Sequence, residues 1–307
     1  MEFRNLGKSG LSVSVVGLGC NNFGRRIDLE ATRDVVHRAL DAGITLFDTA
    51  DVYGEGGASE TMLGQVLGHR RKDIVLATKF GHSMGESEYS RGASRRYIAN
   101  AVEASLTRLK TDYIDLYQLH TPDPKTPMEE TLAALDDLVR AGKVRYIGCS
   151  NVPAWQVADA LWISRTRGLS QFVSCQDEYS MLVRDVEKEL TPMTQQFGLG
   201  ILPYFPLASG MLTGKYKRDE PGPAGARLTD TKRLSDRYFT DDYWNAVERY
   251  TQFAEARGHT LLELAFSWLA AQPTVSSVIA GATKPEQVEK NVSAADWKLT
   301  EEELASL

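Results

Sequence analysis

The chain has 307 residues, 42% of them hydrophobic, and a formal net charge of −6. That length and apolar share suffice for a large core, and the negative balance argues against bulk attraction to nucleic acid or an anionic membrane. Three scattered cysteines and five histidines without HxH or HxxxH spacing give neither a disulfide framework nor a metal centre. No apolar run of about 20 residues is present to span a bilayer. The start MEFRNLGKSG carries no secretory pattern, so the expected location is a reducing cytoplasm, with free thiols at Cys20, Cys149 and Cys175.

In chain order, Glu2 to Val13 reads as a hairpin turning at Lys8-Ser9-Gly10. Residues 13–19 form the first strand. Gly17-Leu18-Gly19 is not a dinucleotide fingerprint, because Asn22 stands where the third glycine belongs and no helix opens there. The first helix is expected over 29–41, N-capped by Asp28. Strands then fall at 44–48, 74–79, 113–119, 144–149, 172–176, 200–204 and 275–280. Helices fall at 58–68, 95–109, 128–141, 153–167, 185–197, 241–257 and 260–271. Eight strand-helix units in a chain of this length, with no linker between them, predict one (β/α)₈ barrel domain over residues 1–307. Two connections are long, 81–94 and 206–240, and both leave the strand ends where barrel sites are built.

The stretch 44–60, ITLFDTADVYGEGGASE, organises the reading of the site. An apolar strand ends in Asp48, and Tyr53 follows in a glycine-rich loop. The next strands end in Lys79 and His120, and later ones in Ser150-Asn151, Gln176, Tyr204 and Gly281. Each alone has a structural explanation: a cap, a snorkelling amine, a loop imidazole. Jointly, a phenol, an ammonium, a carboxylate and an imidazole suit proton donation to an oxygen that gains negative charge. An ammonium near the phenol is expected to lower its pKa. Carbonyl reduction fits, given a hydride source. A metal-dependent hydrolase built on Asp48 and His120 is a weaker reading, because histidines are few.

These residues resemble the aldo-keto reductase family along essentially the whole chain. The blocks that carry the resemblance are FDTADVYGEGGASE (47–60), LATKFG (76–81), SLTRLKTDYIDLYQLH (105–120), LVRAGKVRYIGCSN (138–151), PLASGMLTGKY (206–216) and GATKPEQVEKN (281–291). The resemblance implies a (β/α)₈ barrel closed at the bottom by the N-terminal hairpin. It implies a catalytic tetrad of Asp48, Tyr53, Lys79 and His120, with Tyr53 as general acid and Lys79 lowering its pKa. It also implies NADP(H) lying across the barrel mouth. The expected cofactor contacts are Gly19, Cys20, Asn21 and Asp48; Ser150, Asn151 and Gln176 at the carboxamide; and Tyr204 stacking on the nicotinamide. Phe205, Pro206, Leu207, Ala208, Gly210, Lys215 and Arg227 form a clasp over the pyrophosphate. Gly281, Thr283, Gln287 and Asn291 form the adenosine end, beside a helix N-terminus that favours an anion.

From Lys215 to Arg237 seven basic residues face four acids, a local positive excess in an acidic chain. Many family members carry Arg at the position of Gln287 and Glu at that of Lys290. This chain has neither, and Lys284 is the expected 2′-phosphate contact, favouring NADPH over NADH. The expected partner is a small carbonyl compound. Phe23 and the two long loops are expected to line its pocket, and the end at Leu307 suggests an open one. The five tryptophans, Trp155, Trp162, Trp244, Trp268 and Trp297, fall mostly on predicted helices and are expected as outer-layer core. A cofactor-binding regulatory module with little turnover is the alternative, since some family members are accessory subunits of potassium channels. Oligomeric state is not legible.

Overall fold

The computed structural model describes residues 1–307. An antiparallel hairpin comes first, β1 (Phe3–Asn5) against β2 (Ser12–Ser14). Eight strands then run parallel: β3 (Val16–Gly19), β4 (Leu46–Asp48), β5 (Val75–Phe80), β6 (Ile114–Leu119), β7 (Val144–Ser150), β8 (Phe172–Gln176), β9 (Gly200–Ile201) and β10 (Val278–Gly281). They pair in sequence order, and β10 pairs back onto β3. The remaining seam closes through Ile201 N–H to the Thr274 carbonyl at 2.7 Å, Ser276 N–H to Ile201 at 3.0 Å and Ile279 N–H to Pro203 at 3.2 Å. The result is a (β/α)₈ barrel, as the alternation of elements requires.

Helices form the outer ring: α1 (Leu29–Asp41), α2 (Ala58–Val66), α3 (Arg95–Leu109), α4 (Met128–Arg140), α5 (Ala154–Arg167) and α6 (Leu190–Phe197). They continue with α7 (Arg227–Asp230), α8 (Lys232–Tyr238), α9 (Asp241–Glu255), α10 (Leu261–Ala271), α11 (Pro285–Ser293) and α12 (Glu301–Ala305). Their starts are written in the sequence. Asp28 accepts from the Ala31 amide at 3.0 Å, as expected of the α1 cap. Thr260 and Glu263 close a capping box ahead of α10. α1 then turns Val35, Val36, Ala39 and Leu40 inward, the 3.6-residue stripe that seats it on the sheet.

Two apolar clusters result. The larger lies between strands and helices. The smaller fills the barrel interior with Leu46, Val75, Ala77, Leu116, Leu202 and Ile279, plugged from below by Leu6 and Val13 of the hairpin. Period-2 alternation carries this interior upward. Two residues beyond Leu46, Ala77 and Leu116 on the same faces stand Asp48, Lys79 and Gln118, and two further along β6 comes His120. The polar strand ends are therefore the top layer of the barrel interior.

Several elements differ from expectation. The segment 185–197 breaks into a 3₁₀ turn, Asp185–Glu187, before α6. β9 keeps two residues of an expected five, because Pro203 has no amide proton for a ladder. The long 206–240 connection is not bare loop but holds a 3₁₀ turn, Ala208–Thr213, and both α7 and α8. Trp244 and Trp268 are buried, but Trp155 and Trp162 of α5 are 64% and 65% exposed. Both lie on the solvent side of α5, whose buried positions are Val157, Ala160, Leu161 and Ser164.

Candidate active site

The strand ends meet in a network around one buried ammonium. Lys79 Nζ donates to Asp48 Oδ2 at 2.7 Å, to the Thr49 carbonyl at 2.8 Å and to Tyr53 Oη at 3.4 Å. Its side chain is fully buried and Asp48 nearly so. Asp48 Oδ1 accepts from Gln176 Nε2 at 2.8 Å and Gln118 Nε2 at 3.3 Å. The carboxylate is thus held by three donors from three different strands. A buried ion pair is tolerable only with such satisfaction, since desolvating two charges costs several kcal/mol per ion.

Burial opposes the charge on Lys79, but Asp48 and Tyr53 outweigh it and hold its pKa above the ordinary value. The expected depression of Tyr53 is not the net result. Burial pushes the phenol up, Lys79 pulls it down, and Asp48 pushes it up again, leaving it raised. His120 is driven the other way. Burial, then Lys79 and His82, bring its pKa down to about 2, so the imidazole is neutral. Its Nδ1 is buried without a partner. Its ring meets Tyr53 edge-on at 5.7 Å and His82 at 4.3 Å.

A cavity of about 640 Å³ opens above this layer. From the predicted set, it is lined by Gly19, Asn21, Asp48, Tyr53, His120, Ser150, Asn151, Gln176, Tyr204, Phe205, Pro206, Leu207, Gly210, Lys215, Arg227, Gly281, Thr283, Gln287 and Asn291. Lys79 lies beneath Tyr53, outside the lining. Cys20 and Ala208 do not reach the cavity. Both belong to the core between sheet and helices, with Cys20 Sγ turned 3.6 Å from the Leu18 carbonyl. Phe23 is likewise fully buried in that core. The 81–94 connection contributes no residue to this cavity, although His82 flanks His120.

One wall is pre-built by polar side chains. Ser150 Oγ donates to the Gln176 carbonyl at 2.7 Å, and Asn151 Nδ2 donates to the His120 carbonyl at 3.0 Å. Tyr204 Oη donates to Asn151 Oδ1 at 2.8 Å. Asn151, Phe205, Ala208 and Ser209 all have φ between 46° and 58°, left-handed conformations that non-glycine residues adopt at a cost. Asn151, Phe205 and Ser209 line the cavity, and Ala208 lies next to Ser209 in the chain.

The opposite rim is cationic. Lys215 and Arg227 line it together with Arg26, which the sequence reading passed over. Burial and then Arg26 depress both the Lys215 and Arg227 pKa values, and Arg227 also lowers that of Lys215. Arg227 donates to Asn22 Oδ1 at 3.0 Å, orienting the guanidinium. Gly210, at φ 103°, leaves room for Lys215, whose Nζ would lie 3.1 Å from a Cβ there. At the far end, Gln287 Oε1 accepts from Thr283 N at 2.7 Å. Lys290 lines the cavity beside it, and Lys284 does not. Gln118, Asn22, Arg26, Ser209 and Lys290 are among the site residues that sequence reasoning missed. Only Gln118 had a legible signal, a polar residue two before His120 in an apolar strand.

The aldo/keto reductase family model matches residues 15–307. The chain belongs to that family. It is 38% identical over 302 residues to a protein of Arabidopsis thaliana named "Probable voltage-gated potassium channel subunit beta", covering 96% of this chain and 92% of the relative. A protein of the same name from Oryza sativa subsp. japonica shows the same identity and coverage. "Uncharacterized oxidoreductase YrpG" of Bacillus subtilis (strain 168) is 34% identical over 317 residues, covering all of this chain and 95% of the relative. Family membership supports oxidoreductase chemistry, and the family match runs from the residue after the hairpin through α12. No helix is long and apolar enough to cross a membrane.

Proposed function

We propose that this aldo/keto reductase, read as one domain over residues 1–307, reduces small aldehydes and ketones to alcohols with NADPH. Tyr53 is the general acid. The observation that carries the reading is that Tyr53 lines the cavity while its hydroxyl lies 3.4 Å from a buried ammonium that Asp48 neutralises at 2.7 Å.

The residues fit the cofactor by their chemistry. Lys215 and Arg227 have no acid partner, and burial and the neighbouring cations depress both, which suits a pyrophosphate. Ser150, Asn151, Gln176 and Tyr204 would hold the nicotinamide end, with Gln176 offering Oε1 because its Nε2 is committed to Asp48. Thr283, Gln287, Lys290 and Asn291 would hold the adenosine end, and Lys290 takes the place expected of Lys284 as the cation nearest a 2′-phosphate. When bound, NADPH supplies a hydride to the carbonyl carbon.

The chain supplies the rest. Because burial dominates, the Tyr53 phenol keeps its proton at neutral pH, the form an acid needs. It gives that proton to the carbonyl oxygen as negative charge develops there. The phenolate left behind is stabilised by Lys79, whose charge Asp48 secures. Neutral His120 orients the oxygen without competing for the proton. The expected setting is the cytoplasm.

A second reading, a cofactor-binding subunit with little turnover, draws on the names of the 38% identical relatives. Fluorescence titration with NADPH and NADH, followed by turnover of 4-nitrobenzaldehyde and a ketone panel, separates the two. Tight NADPH binding with turnover supports the reductase. Binding without turnover favours the second reading, and no binding contradicts both.

A further inference from the structure

Behind the active site lies a second buried acid that the chemistry above does not use. Asp51 is 1% exposed, and its Oδ1 has no hydrogen-bond partner. Its Oδ2 lies 3.2 Å from Tyr97 Oη, and that same hydroxyl lies 3.3 Å from the His82 carbonyl. A tyrosine hydroxyl has one proton to give. If Asp51 is ionised, carboxylate and carbonyl compete for it, and one of the two acceptors loses that proton. If Asp51 carries a proton on Oδ2, it donates to Tyr97 Oη, Tyr97 donates to His82, and only Oδ1 is left without a partner.

The surroundings favour the protonated acid. The charged and titratable groups packed around it are Glu60 of α2, Tyr97 and Arg108 of α3 and Tyr117 of β6, with the Lys79 carbonyl accepting from the Asp51 amide at 3.1 Å. Arg108 does not neutralise Asp51, because its Nε donates to Glu60 Oε2 at 2.7 Å. Glu60 also takes the Thr78 hydroxyl at 2.5 Å. Asp51 is therefore the carboxyl of this cluster without a cation of its own. Burial first, then Glu60, raise its pKa to about 7, against the lowering pull of Tyr97 and Arg108. It changes charge near neutrality.

What the chain of donors holds is the segment that backs His120. His82 opens the 81–94 connection, and its ring packs 4.3 Å from that of His120. The connection folds back on itself through Gly92 N–H to Gly81 and Met84 N–H to Ser90, each at 2.9 Å. We propose that Asp51 is a positioning residue: as the neutral acid it donates to Tyr97, Tyr97 fixes the His82 carbonyl, and ionisation of Asp51 releases the His82 segment from beside His120. Only the consequence for turnover rests on the reductase reading.

The test is hydrogen exchange of the 82–92 amides in the full-length protein on either side of pH 7, expressed as protection relative to intrinsic rates. In the wild type, protection falls about five- to tenfold as pH rises through the Asp51 transition, the equivalent of one net hydrogen bond. Asp51→Asn keeps the high protection at both pH values, because its amide N–H replaces the acid proton. Tyr97→Phe has the low protection at both. A wild type without the step overturns the proposal. So does either variant that keeps a wild-type step, and Tyr97→Phe decides the matter if Asp51→Asn does not fold. Exchange needs no turnover, so a protein that shows the step yet reduces no carbonyl supports this inference while contradicting the reductase.

Discussion

At the floor of the cavity each charge has its counterpart. Lys79 meets Asp48 at 2.7 Å, and two glutamine amides complete the carboxylate. At the rim, Arg26, Lys215 and Arg227 stand together, and the Lys215 and Arg227 pKa values fall through burial and the neighbouring cations. The floor is complete as the chain folds; at the rim Arg26 has Asp230 at 3.7 Å, but Lys215 and Arg227 have no acid partner. A group that must hold a proton in a fixed place belongs in the first environment. A group that must capture and release a phosphate belongs in the second. Substitutions should therefore act on folding and chemistry at the floor, and on ligand affinity at the rim.

Lys79→Met is the most severe way to break this division. It leaves the Asp48 carboxylate buried without a cation, which costs about 3–5 kcal/mol. Denaturant unfolding should show that loss, and any remaining activity should follow a less acidic phenol. Unchanged stability would mean that the pair is not the anchor of the floor.

Rim substitutions should spare stability. Arg227→Ala removes a charged contact to an anion, worth about 1.5–3 kcal/mol, so NADPH affinity should weaken by about ten- to a hundredfold. Its salt dependence should become shallower. A large drop in melting temperature instead would place Arg227 among the structural groups. Lys290→Gln sharpens the picture at the far end. NADPH should lose affinity by about tenfold while NADH changes little, as competitive titration would read. Equal loss of both would remove Lys290 from the 2′-phosphate.

The smallest effect belongs outside the cavity. Trp155→Gln and Trp162→Gln sit on the exposed side of α5, so each should change stability by no more than about 0.5 kcal/mol. A larger loss by thermal unfolding would show that this face is covered in solution.

The floor was legible in the sequence because strands alternate. Asp48, Lys79 and His120 end apolar strands, and period 2 delivers Asp48 and Lys79 to the layer above Leu46 and Ala77, with His120 two residues beyond Gln118. The rim was less so. Lys215 and Arg227 came from the family resemblance, whereas Arg26, Asn22 and Lys290 come from loops and a helix whose mutual placement is tertiary. Cys20 and Ala208 show the same limit from the other side, since a motif gives a position but not the face it turns to. The net direction of the Tyr53 pKa was also hidden. Charge neighbours can be read from a motif, but burial, which dominates here, cannot.

The most direct measurement pairs NADPH titration with single-turnover reduction of 4-nitrobenzaldehyde in Tyr53→Phe. Only the proton donor is removed, so affinity should stay within about twofold of wild type while the rate falls by about 10²–10⁴. Turnover retained at the wild-type rate would contradict Tyr53 as the acid, and affinity lost along with the rate would contradict the separation of floor from rim.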